Sequence, residues 1–156
     1  MHSFHNFHKT QLNQHSHSIN PRLQELHLPM VVLKNFLAST KDISVQELEY
    51  VPYQRLVLAH LLDEECGGSL KKILVETLHD RATGALEIST PPDLNKDDLI
   101  KISTAVSHLV GLPNFDSMSG NYYACFDVKD TDNSDSYLRQ AYRLFTLHTD
   151  GTYVEE

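Results

Sequence analysis

His148-Thr149-Asp150 lies in the run Leu144-Phe145-Thr146-Leu147-His148-Thr149-Asp150-Gly151-Thr152-Tyr153 and carries the chain's clearest chemistry. On an extended segment side chains alternate with a period of two, so the His148 imidazole and the Asp150 carboxylate leave the backbone on the same side. Two such groups can be adjacent ligands of one metal ion. A non-haem Fe(II) oxygenase site needs two His and one carboxylate on one face of the ion, with the remaining positions open to co-substrate and oxygen. No His follows His148 in the few residues to Glu156. The spacing therefore reads as most of the first half of an iron oxygenase, with the half that completes the site expected outside the chain.

The elements that must position these residues are read from periodicity and punctuation. Residues 1–20 hold His2, His5, His8, His15 and His17 among Asn, Gln and Ser, with no acid before Glu25. Such a stretch has little to bury and is expected to be a disordered, solvated tail; the competing reading is a Zn- or Ni-chelating arm. From Pro21 the pattern becomes globular, and residues 21–156 are taken as one region. Leu23, Glu25 and Leu26 suggest an edge strand leading into a helical turn over Val31 to Leu37. Pro52 opens a helix in which Tyr53, Leu56, Val57, His60 and Leu61 are expected to share the buried face, and Gly67-Gly68 ends it. Ser69 is placed to cap the next helix, with Leu70, Ile73, Leu74 and Leu78 as its buried stripe. Gly84 to Thr90 alternates like a strand and stops at Pro91-Pro92. Asn95 can cap a further helix that repeats apolar residues at Leu99, Ile102, Val106, Leu109 and Val110 and closes at Gly111 and Pro113. Tyr122 to Val128 is aromatic and β-prone, and a polar loop from Asp130 to Ser136 leads to the strand of His148. The fold class expected is α+β.

Totals narrow the function. At 156 residues the chain is long enough for one domain with a sizeable core. A formal net charge of -8 gives no general attraction to phosphate backbones or anionic lipid, so nucleic acid and membrane are not expected partners. Apolar runs such as Met30 to Leu33 are far too short to span a bilayer, and no apolar signal-like region stands near the N-terminus. Cys66 and Cys125 lack metal spacing and are expected to be free thiols in a reducing compartment. Together these point to the cytoplasm.

Longer runs carry a resemblance. Glu47-Leu-Glu-Tyr50, Ala105-Val-Ser-His-Leu-Val-Gly111, Asn114-Phe-Asp-Ser-Met-Ser-Gly120 with Tyr122-Tyr123-Ala124, Asp132-Asn-Ser-Asp-Ser-Tyr-Leu-Arg-Gln140 and His148-Thr-Asp-Gly-Thr-Tyr-Val-Glu-Glu156 resemble the CsiD family of glutarate 2-hydroxylases. The resemblance implies a jelly-roll, or double-stranded β-helix, oxygenase whose His148 and Asp150 bind Fe(II). It further implies a downstream His as third ligand and, beyond it, an Arg for the distal carboxylate of 2-oxoglutarate. The implied reaction consumes O2 and 2-oxoglutarate, releases succinate and CO2, and converts glutarate to (S)-2-hydroxyglutarate in lysine breakdown. Family members are homotetramers. Cys125 and Ala141 depart from the family, which carries Arg and Pro at those positions.

A jelly roll has about eight strands, and roughly half that many can be read here, so the barrel is expected to be incomplete in this chain, with several flanking helices. Two dicarboxylates in one pocket demand cations, for which Arg suits carboxylates through bidentate pairing. Arg139 is the local candidate for substrate, with Tyr137 and Ser136 beside it and Arg143 as a second cation. Each also has a structural reading: Arg139 as a surface partner of Asp132 or Asp135, Ser136 and Tyr137 as turn residues. His60, His79 and His108 fall on expected helices without triad spacing and are read as satisfied helix residues. Two further function classes stay open: a non-catalytic His-rich metal-binding or interaction module, and a same-fold oxygenase for another small dicarboxylate.

Overall fold

The computed structural model describes residues 12–113 together with Tyr122 and Tyr123. The described residues form an α+β arrangement of strands β1 (Gln14–Ser16), β2 (Leu23–His27) and β3 (Ala85–Ser89), and helices α1 (Met30–Ser39), α2 (Glu47–Tyr50), α3 (Pro52–Glu65), α4 (Leu70–His79) and α5 (Lys96–Val110). The sheet order is β1-β2-β3. The β1 pairing is antiparallel and β3 runs parallel to β2, with Leu26 opposite Ile88. Parallel neighbours need a long crossover, and α1 to α4 lie within it in the chain. Leu26, Leu86 and Ile88 share one face of the sheet and join the core, while Glu25, Glu87, His15 and His27 occupy the other.

Two expectations change at this point. The strand at Leu23 is the central one, covered by a neighbour on each side, where an edge strand was expected. Its second neighbour, β1, comes from the stretch read as a solvated tail: Gln14–Ser16 pair with Gln24 to Leu26, and Leu12 is buried in the core. Pairing needs only backbone donors and acceptors, so an exposed polar strand leaves no apolar alternation in the sequence. His2, His5 and His8 lie outside the described residues.

The core gathers Leu26, Leu28, Leu33, Phe36, Leu48, Leu58, Leu62, Leu70 and Leu74, each nearly or fully closed to solvent. Helix α3 starts with Pro52 in its first turn and ends where Gly67 (φ 69°) and Gly68 (φ 72°) enter the left-handed region. Their N–H groups satisfy the Glu64 and Asp63 carbonyls at 2.8 and 2.7 Å. The buried stripe of α3 is Arg55, Leu58, Ala59 and Leu62. Tyr53 (72% exposed) and Leu56 (48% exposed), expected inside, face outward, and Val57 and Leu61 sit at the core margin. In α4, Leu70, Leu74 and Thr77 are buried, whereas Leu78 is 49% exposed. Ser69 does not cap that helix, because its hydroxyl donates to the Cys66 carbonyl at 2.7 Å; the Asp63 carboxylate accepts from the Lys71 N–H at 2.9 Å instead. Asn95 does cap α5, in a full capping box with Asp98. No described helix is long and apolar enough to cross a membrane.

Candidate functional site

Helix α3 delivers an unusual residue to its packed face. Arg55, Leu58, Ala59 and Leu62 follow one another at i, i+3, i+4 and i+7, so the apolar stripe that meets α5 begins with a guanidinium. Arg55 is only 4% exposed. Its guanidinium carbon lies 3.5 Å from the centroid of the Tyr122 ring, close enough for a cation–π contact. That contact uses the face of the group, while two of its in-plane nitrogens, Nε and Nη1, are buried without a hydrogen-bond partner among the described residues. The sequence reading passed over Arg55. Its signal was a cation in phase with Leu58 and Leu62, masked by a second set of apolar residues on the outer face.

Helix α5 supplies the surroundings. Lys101, Thr104 and His108 follow at i, i+3 and i+7 on one side of it. The Lys101 ammonium donates to the Thr40 carbonyl at 2.8 Å, placing a cation on the C-terminal end of α1 where the helix dipole favours it. His108 Nδ1 lies 2.9 Å from the Thr104 carbonyl and donates to it. Burial holds His108 below its ordinary 6.5; the Thr104 bond opposes this and the nearby Arg55 charge adds to it. Burial and the nearby Arg55 charge thus both disfavour the charged form of this imidazole. A guanidinium with two unpartnered buried nitrogens, a nearby ring whose charged form is disfavoured and an aromatic cover make a place suited to a planar anion.

Three other described His residues lie beside carboxylates elsewhere. His15 Nε2 is 2.7 Å and His17 Nε2 3.6 Å from the Glu25 carboxylate, and His60 pairs with Glu64 at 3.4 Å on the exposed side of α3. Among the described residues no group of three or more His, Cys, Asp or Glu is placed to hold a metal ion. His148, Asp150, Arg139, Tyr137 and Ser136 lie outside the described residues, as do Arg143 and Cys125. Cys66 is a free, buried thiol.

The family model described as CsiD matches residues 12–156. Two curated relatives, each named glutarate 2-hydroxylase and coming from Citrobacter koseri and Klebsiella pneumoniae, are 48% identical over 140 residues. The aligned part is 88% of this chain and 43% of either relative, so the chain spans less than half the length of the curated relatives it matches.

Proposed function

The chain belongs to the CsiD family, and on that footing we propose that it supplies the first two iron ligands, His148 and Asp150, of an enzyme that hydroxylates glutarate to (S)-2-hydroxyglutarate. The observation that supports the reading is the family match, whose span, residues 12–156, includes the His-x-Asp triplet. His148 and Asp150 would hold Fe(II) together with a His from outside this chain, and the metal would supply the redox chemistry that consumes O2 and 2-oxoglutarate and yields succinate and CO2. The protein's part is to bind and orient two small dianions and to exclude water around them. Arg139 would receive a substrate carboxylate, with Tyr137 and Ser136 donating beside it. The barrel around them would be a jelly roll completed by residues that this chain lacks, assembled as a cytoplasmic homotetramer.

This reading makes the 156-residue chain inactive alone, because two ligands hold Fe(II) weakly and the proposed 2-oxoglutarate anchor is missing. Purified chain given Fe(II), 2-oxoglutarate and glutarate should form no 2-hydroxyglutarate. Co-expression with the C-terminal portion of the Citrobacter koseri relative should restore turnover, and His148→Ala or Asp150→Ala should abolish it. Restored turnover on succinate or adipate but not on glutarate would move the assignment to another dicarboxylate; turnover by the short chain alone would overturn it.

A further inference from the structure

Arg55 brings a guanidinium to a packed helix face, yet it is 4% exposed and its Nε and Nη1 have no hydrogen-bond partner among the described residues. Burial strips a guanidinium of its hydration, and an uncompensated buried charge is strongly unfavourable. The ion pairs among the described residues, from His15 and His17 to Glu25, from His60 to Glu64 and from Lys72 to Glu76, do not involve it. Lys101 spends its ammonium on the Thr40 carbonyl, and His108 gives its Nδ1–H to Thr104. Arg55 thus keeps its donors for a planar acceptor while the ring of Tyr122, itself only half-buried, covers its face.

We propose that Arg55 is a binding residue for a carboxylate of a small dicarboxylic acid, which accepts from the guanidinium N–H groups between α3 and α5. The identity of the acid rests on the reading under Proposed function. Tyr122 is the side chain past which the acid enters, since it alone among described residues stacks on the guanidinium.

Labelling the chain with 15N-arginine gives a direct reading, because the Nε–Hε signal of Arg55, assigned by its loss in Arg55→Met, reports what the guanidinium touches. Titration with glutarate in the absence of iron should move that signal saturably. It should also raise the melting midpoint by roughly 5 °C at about 100-fold over Kd. Arg55→Met should show no glutarate-dependent rise, and without acid it should melt at or above the unsubstituted chain, since an orphan charge has been replaced by an apolar side chain. Arg55→Lys keeps the charge without the fork and should bind at least 10-fold more weakly. An unmoved signal with glutarate and succinate overturns the proposal. So does an Arg55→Met chain that melts well below the original without added acid, which would mark a structural partner inside the protein. The two readings fail separately: restored enzyme carrying Arg55→Met with unchanged KM for glutarate defeats this inference alone, and glutarate binding at Arg55 without turnover on any acid defeats the enzyme assignment alone.

Discussion

Cys66 closes α3 at 1% exposure, and burial, with Asp63 and Glu65 adding to it, pushes its thiol up to about 12. A thiol held neutral is a poor nucleophile. In a Cys125→Ser background, where Cys66 is the remaining thiol, a disulfide reagent at pH 8 should leave the folded chain unlabelled and react fully once urea unfolds it; rapid labelling of the folded chain would contradict the burial. His108 makes the opposite kind of prediction. Its folded value lies below 6.5, mainly through burial, so the unfolded chain takes up the proton first as pH falls. Its contribution is therefore intact above about 6.5 and is lost progressively below it, down to the folded value. Urea unfolding at pH 7.5 and 5.5 should show a smaller acid-side loss in His108→Gln than in the unsubstituted chain.

At the scale of elements, the capping box of α5 is the most direct test of local sequence logic. The Asn95 side chain accepts from the Asp98 N–H at 3.0 Å, and Asp98 returns the bond to the Asn95 N–H at 3.3 Å. Asn95→Ala should cost about 1 kcal/mol in denaturant unfolding. Gly68, at φ +72° with nothing within 4 Å of an added Cβ, should lose roughly 1 kcal/mol on substitution by Ala through backbone strain alone. These features were legible because each is a short-range signal: Asn95 before Asp98, Pro52 at a helix start, paired glycines at its end, Pro91-Pro92 after a strand. The phase of α3 was not, because Tyr53, Leu56 and Val57 mimic an inward stripe next to the true one at Leu58 and Leu62, and only tertiary packing chooses between them. For Ser69 the nearby Cys66 carbonyl won the hydroxyl, a competition that no spacing rule reveals. His148 and Asp150 were legible as chemistry from their spacing and context, while Arg55 became visible only once α5 and Tyr122 were in place.

Among the described residues, the core rather than the sheet carries stability, since the sheet there has three short strands and the helices bring most of the buried leucines. Phe36, fully buried where α1 meets the core, should cost about 3–5 kcal/mol as Phe36→Ala, measured by urea unfolding. The parallel pairing of β2 with β3 joins positions such as His27 and Ser89 that stand 62 residues apart. Chain closure over that distance is slow relative to local helix formation. On the ribosome, β2 therefore emerges with one flank bare and stays so until α1 to α4 and then β3 have been synthesised. A pause or a nick anywhere in that interval would leave the nascent strand open to a foreign edge, which makes the rate of translation across the helical crossover a determinant of how much protein reaches its folded form.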